Sequence, residues 1–577
     1  MDRNSLLRVA LIAGVLLLGW FLWGKFSGKN DKPQAASLPD VVFVDAPGFP
    51  KDPIDPPFDA ARPKPNEDDT CSIKGERYHA VFSPRGAGMT HLFLEDPKYA
   101  AGAVGMDLVS TPDIERWRNL RSSFRGKDAS DQVKYDRFVW KTEKRDDRTC
   151  AFSYQDDDVK IVKTFTASPR PFEVEVDTQI TNLASAPKKH QLTMGLYAYR
   201  ENHELKGSLG RVSPWQTDLE CGAGKDVVRK NKDDFKSGWF YGPTTDRYAA
   251  VNSHYFAQAL ALPGGLAPTE QPHCDLLAEQ WVSAGQASDA DDAGNVFQST
   301  LTWPARELAP QAVAEYKQFA FFGPKERDIL AAAGGGSAKL GDVINLGFFT
   351  PVAKVLVMVL RWIHDHITFG NWGLAIIAMT IALRTLLFPL TLKSIKSSVA
   401  MRRLKPEVDK LNAKFKDDAQ AKNLAMMELW KKNGVNPLGG CLPQLVQMPV
   451  WFAMYTTLQT AVEMYHVKFL WFADLSSPDK FYVLPLLLGV FMIIQQRIVP
   501  QQGMDPVQAK MMMWMLPAVF TVMMLFLPAA LGVYMLTNSI LGITQQLVVE
   551  QIAPRNSSSP PNNKGSKEIV VKEKARV

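Results

Sequence analysis

One charge constrains this chain more than any other residue. From Asn371 to Leu392 the sequence reads NWGLAIIAMTIALRTLLFPLTL, an apolar run of the length that crosses a bilayer as a helix, with Arg384 inside it. A charge in such a run costs at least ~2.5–3.5 kcal/mol even on lenient insertion scales. Thr380, Arg384 and Thr391 fall at i, i+4 and i+11 and share one stripe of a helix. At ~1.5 Å per residue, Arg384 lies about 20 Å from Asn371 and about 13 Å from Lys393. It sits below the midplane, on the Lys393 side. Either its stem snorkels to the headgroups, or the charge serves a polar site inside the membrane.

The remaining sequence separates these readings. With 577 residues the chain has room for several domains, and its charge of +6 and 46% hydrophobic content hide a polar first half joined to an apolar second half. Residues 1–24 begin with Arg3 and Arg8 and close with Trp20, Phe21 and Trp23. They read as a transmembrane anchor rather than a cleaved signal, because the candidate site Ala35-Ala36-Ser37 lies far beyond the apolar run. Arg3 and Arg8 stay cytoplasmic and the following residues are exported. Residues 25–70, rich in Pro, Asp and Ala, read as an extended linker.

Residues 71–330 change to short alternating runs, such as Asp158–Thr166, Phe172–Ile180 and Gln191–Tyr199. Period-2 alternation of this kind predicts an all-β sandwich or barrel. Cys71, Cys150, Cys221 and Cys274 fall here. An oxidising compartment permits two disulfides in any of three pairings, unpaired core cysteines are the other reading, and the spacing fits no zinc motif. Acid runs such as Asp156-Asp157-Asp158 and Asp291-Asp292 read as solvated loops, not a glycosidase pair. Nothing resembles a nucleotide signature. Residues 331–342, with Gly334, Gly335 and Gly336, read as a flexible linker.

Residues 343–366 contain Pro351, Lys354 and Arg361 and are read as an amphipathic helix lying in the outer interface; His364 and His366 are not read as metal ligands. The arginine run gives a span at 367–393. The strongly basic segment 394–435 stays cytoplasmic. Met401, Leu404, Val408, Leu411 and Phe415 form a helical seam there, Asp417-Asp418 turns the chain, and Leu424, Met427 and Trp430 answer it. A helical hairpin follows. Further spans are expected at 436–465, 480–500, 510–527 and 528–550, with a basic cytoplasmic tail at 551–577. The fold class is therefore a multi-domain membrane protein: an N-terminal anchor, a five-helix membrane core with its hairpin, and an exported β-domain. Gln444, Gln447, Gln495, Gln496, Tyr534, Asn538 and Gln545 all fall at the depth of Arg384. Buried polar groups in lipid need partners or water. Their shared depth predicts a wet cavity open to the cytoplasm. Met511, Met512, Met513, Met515, Met523 and Met524 suit an adaptable apolar surface.

Asn436-Pro437-Leu438-Gly439-Gly440-Cys441, continuing through Pro443 and Gln447-Met448-Pro449, resembles the YidC-type membrane protein insertases, the bacterial branch of the Oxa/Alb group. The resemblance covers the whole membrane half, including the Pro528…Tyr534 turn. A short anchor with a large exported β-domain resembles the Gram-negative form, where that domain is a periplasmic β-supersandwich with a cleft. The resemblance implies that Arg384 is the groove arginine, lined by Thr380 and Tyr534, with Gln447 and Asn538 at the same depth. Met448, Pro449, Trp451 and Met523 would form the slide by which a substrate helix reaches lipid. It further implies no enzymatic activity and no cofactor. The implied partners are nascent membrane proteins, the Sec translocon and the ribosome, and the implied place is the bacterial inner membrane. Met535 departs from relatives that carry a second aromatic residue after the tyrosine. The competing reading is a secondary transporter or channel, which requires polar groups in both leaflets.

Overall fold

The computed structural model describes residues 70–99, 105–111, 117–125, 132–133, 139–207, 213–235, 238–281, 293–415, 418–433, 438–498 and 506–552. The expected anchor at 1–24, the linker up to residue 69 and the tail beyond residue 552 lie outside these residues. The chain divides into two compact units, the first ending at Thr350 and including Thr460–His466, the second holding the remainder.

The first unit is built from antiparallel sheets. Alternation is the cause: Val159–Ala167 (VKIVKTFTA) buries every second side chain, and Glu173–Asn182 pairs with it residue for residue. Both strands, and Leu192–Glu201, begin within a residue or two of the runs expected from sequence. A nine-stranded sheet runs, in spatial order, Asp226–Lys230, Asp218–Ala223, Tyr248–Asn252, Phe256–Ala261, Val313–Pro324, Glu173–Asn182, Val159–Ala167, Thr149–Gln155 and Lys141–Arg145. A six-stranded sheet runs Phe240–Thr244, His273–Trp281, Gly294–Thr302, Leu192–Glu201, Arg121–Arg125 and Gln132–Val133. The two sheets pack face to face, with Leu192–Glu201 against Tyr248–Asn252 and Phe256–Ala261. A four-stranded sheet starts at Cys71–Gly75.

The cysteines pair as Cys71–Cys150 and Cys221–Cys274, with Cα atoms 6.0 and 5.9 Å apart. One of the three possible pairings is thereby selected, and all four side chains are buried.

Two expectations about this unit need correction. Residues 331–342 are not a free linker. Gly334 has φ 59°, and a Cβ there would stand 1.9 Å from the Phe319 ring, so the turn requires glycine. Its N–H donates to Glu173 Oε1 at 2.8 Å. Further along, the buried Arg247 donates to the carbonyls of Ala338 and Lys339 and to Asp342 Oδ2, at 3.2, 3.0 and 2.6 Å. The glycines bend a strap onto the domain. The second correction is at 460–465, expected to belong to a span. Thr460–His466 belongs to the first unit, where Arg327 holds the Glu463 carboxylate at 2.7 Å and Tyr465 stacks on Tyr99.

Lys163 is fully buried in this unit, donates to the Leu120 carbonyl, and is pushed down to about 7 by burial. An unfolded chain keeps that proton to ~10.4. Between these values the unfolded state binds more protons, so stability should rise with pH from about 7 to 10; below 7 both states are charged and the penalty is fully present. Thermal melts of the full chain across that window should show the rise, and Lys163→Met should flatten it and raise Tm. An unchanged slope in the variant would place the titration elsewhere.

The second unit is helical: α1 (Thr350–His366), α2 (Trp372–Leu386), α3 (Phe388–Arg403), α4 (Lys405–Lys414), α5 (Ala419–Lys432), α6 (Leu438–Thr460), α7 (Val483–Ile498), α8 (Pro506–Met524) and α9 (Ala529–Ile552). Asn371 caps α2 by accepting from Leu374 N–H, and Asp418 caps α5 from Gln420 and Ala421. α4 and α5 pack together as the hairpin, α7 packs on α8 and α9, and α9 on α2.

The arginine run is not one helix. It breaks at Leu387, because Pro389 has no N–H to give the Thr385 carbonyl and its ring crowds that turn. Among the described residues no helix is long and apolar enough to cross a membrane. α2 and α7 have only 15 and 16 residues, α8 carries Pro517, and α9 carries Asn538, Gln545, Gln546 and Glu550.

Candidate functional site: a polar cluster around Arg384

α2 and α9 lie side by side, which sets Arg384 against the polar stripe of α9. The stripe follows from spacing: Tyr534, Asn538 and Gln545 recur at i, i+4 and i+11. The half-buried guanidinium is held on three sides. Nε donates to Asn538 Oδ1 at 2.7 Å, one terminal nitrogen to the Asn538 carbonyl at 2.8 Å, and the other to Gln545 Oε1 at 3.4 Å. Gln545 Nε2 also donates to the Arg384 carbonyl at 3.4 Å. From α6, Gln447 Nε2 donates to Asn538 Oδ1 at 3.3 Å, so one amide oxygen serves both partners.

Three of the expected groove residues are therefore brought together, namely Arg384, Asn538 and Gln447. Thr380 and Tyr534 are not open to a cavity. Thr380 is 1% exposed and donates to the Ile376 carbonyl of its own helix, and Tyr534 is 2% exposed. Asn436 and Pro437 lie outside the described residues, while Gly439 and Gly440 are in the first turn of α6. Met448 is 46% exposed, Pro449 and Met523 are half-buried, and Trp451 stacks on Tyr455 with centroids 5.8 Å apart.

Gly542 was not singled out from sequence. A Cβ there would stand 3.1 Å from an Arg384 terminal nitrogen and 3.5 Å from Gln495 Nε2. The guanidinium thus lies against bare backbone of α9, and the available signal was a glycine one turn beyond Asn538. Chemically, the partners of Arg384 among the described residues are neutral amide oxygens. Among the described residues no carboxylate pairs with it, so the positive charge is oriented but not cancelled. Among the same residues no group of His, Cys, Asp or Glu could hold a metal ion.

Similarity to known proteins decides the family. The family pattern described as "YidC periplasmic domain" matches residues 70–359, and "60Kd inner membrane protein" matches residues 362–556. The chain belongs to the YidC family of membrane protein insertases. It is 33% identical over 506 residues to the YidC insertase of Anaeromyxobacter sp. strain K, covering 84% of this chain and 86% of that one. With the YidC of Anaeromyxobacter dehalogenans strain 2CP-C it shares 31% over 563 residues, covering 94% and 96%. With that of Geobacter sulfurreducens it shares 43% over 270 residues, covering 47% and 50%. A crystal structure of an active YidC insertase with its first transmembrane domain resolved covers 84% of this chain and 93% of its own, at 17% identity and TM-score 0.35. YidC relatives are insertases and not enzymes, and the mostly β first unit is the YidC periplasmic domain.

Proposed function

We propose that the chain moves hydrophobic segments from the cytoplasm into the inner membrane through a hydrophilic groove, open to lipid and to the cytoplasm, with Arg384 as its fixed charge. The observation that carries this reading is a guanidinium whose partners among the described residues are neutral amides. An exported acidic segment is attracted by that charge, which offsets part of its desolvation. Short helices serve the same end: the 15 residues of α2 span about 22 Å, less than the ~30 Å of a bilayer core, so a thinned membrane shortens the dry path.

The topology follows from charge. The anchor at residues 1–24 and the spans containing α2 and α6 to α9 make six crossings, with both termini and the α4–α5 hairpin in the cytoplasm. α1 lies in the outer interface, as its exposed Val355, Met358 and Trp362 suit. The substrate helix leaves past Met448, Pro449, Trp451 and Met523, whose adaptable surface accepts varied sequences. Burial of its own apolar surface drives the exit, at ~0.8 kcal/mol per CH₂. The hairpin and basic tail meet the ribosome, and the Sec translocon works beside the groove for longer substrates.

Depletion of the protein in cells tests the proposal. Insertion of small single-span proteins should fail while solute uptake continues; intact insertion with lost uptake would establish a transporter instead.

A further inference from the structure

The six-stranded sheet of the first unit has two unlike faces. Met194, Leu196, Leu276 and Leu301 point one way and are fully buried in the sandwich. Their neighbours by alternation point the other way and floor an open recess. The floor is hydroxyl, amide and carboxylate: Thr193, Asp275, Gln298 and Thr302. Thr302 donates to Asp275 Oδ2 at 2.8 Å. Gln298 Nε2 donates to the Tyr197 hydroxyl at 3.4 Å, and Tyr197 lies over Gly195, where a Cβ would be only 2.8 Å from that oxygen. At the rim, Trp239 and Tyr241 stand with rings 18° from parallel. The strand carrying Tyr241 shifts register between Tyr241 and Thr244, as bulges beside binding sites do.

One atom asks for a ligand. Thr193 is 7% exposed, and among the described residues its hydroxyl has no hydrogen-bond partner. Leaving such a group unmet is costly, and a site rich in them selects molecules that supply donors and acceptors.

The chemistry narrows the occupant. Among the described lining residues there is one carboxylate and no Lys or Arg, which disfavours an anion. Those described residues include no aliphatic side chain either, which disfavours the apolar segment of a membrane protein. What remains is a molecule with many hydroxyls on an apolar C–H frame: hydroxyls meet the floor and C–H faces stack on electron-rich rings. We propose that this recess is a binding site for neutral saccharides, with Asp275 and Thr193 taking ligand hydroxyls and Trp239 stacking on the ring.

The test uses the full chain in nanodiscs free of glycoside detergent, with D-glucose and maltose as probes and saturation-transfer NMR as the readout. The expected result is transfer to the pyranose C–H protons of one or both sugars, stronger for the disaccharide if two rings are held. Trp239→Ala and Asp275→Asn should each weaken binding at least tenfold while the melting temperature stays unchanged. Thr193→Val, which removes only the unmet hydroxyl, should weaken it without any change in fold. No transfer to either sugar overturns the proposal. So does transfer that survives all three variants, and so does binding of a neutral peptide such as acetyl-Ser-Thr-Asn-Gln-amide in preference to the sugars.

Discussion

Replacing Arg384 by alanine is expected to lower insertion of single-span substrates with an acidic exported segment about tenfold or more, equivalent to ~1.4 kcal/mol of lost attraction. Arg384→Lys should keep most of the activity, because an ammonium on a similar stem keeps the charge in the proposed groove. Substrates whose exported segment is uncharged should respond much less to either change. In vitro insertion into proteoliposomes, comparing the two substrate types, measures all of these. Equal loss for alanine and lysine would move the explanation from charge to the fork geometry that Asn538 and Gln545 recognise. Equal loss for charged and uncharged substrates would remove the electrostatic account altogether.

Replacing Glu220 by alanine should destabilise the β-domain by ~3–5 kcal/mol, the usual cost of stripping one partner from a buried ionic group. Glu220 is fully buried and accepts from Arg229 Nε at 2.9 Å and from Asn252 Nδ2 at 2.7 Å. Burial also pushes the nearby Lys325 ammonium down to about 8, with Glu220 acting against that shift. Both partners of Glu220 reach on to the strap, Arg229 to the Asp342 carbonyl and Asn252 to the Val343 carbonyl at 2.9 Å. Loss of the carboxylate should therefore lower Tm and open the strap to protease near Ser337–Leu340. Glu220→Gln, which keeps an acceptor oxygen, should cost less. A loss below about 1 kcal/mol for the alanine variant would show that the network is not cooperative.

The strands were legible because half-buried sheets impose a period that side chains cannot hide, as Val159–Ala167 and Glu173–Asn182 show. The cluster was legible for a similar reason: a polar stripe on an apolar helix needs partners, and Asn538 and Gln545 lie on the stripe that Tyr534 begins. Other features depend on contacts that no local pattern encodes. Glycines at 334–336 signal freedom in isolation, and it takes the Phe319 ring, Glu173 and Arg247 to turn them into an anchored bend. The break at Leu387 was hidden because hydropathy counts Pro389 as tolerable, while hydrogen bonding does not. Thr380 shares a stripe with Arg384 but satisfies its hydroxyl within its own helix, so shared phase did not mean shared company. The pairing of four cysteines needed the contact between the four-stranded and nine-stranded sheets that brings Cys71 beside Cys150.

Those two cystines carry a consequence for how the molecule is made. One bridge closes across 79 positions and the other across 53, and neither can persist in a reducing cytosol. On the proposed topology, the periplasmic domain is therefore softest during export and hardens on arrival, where oxidants wait. Material produced inside the cell without export, or handled in thiol, should be judged as a weaker protein than the one the bacterium uses.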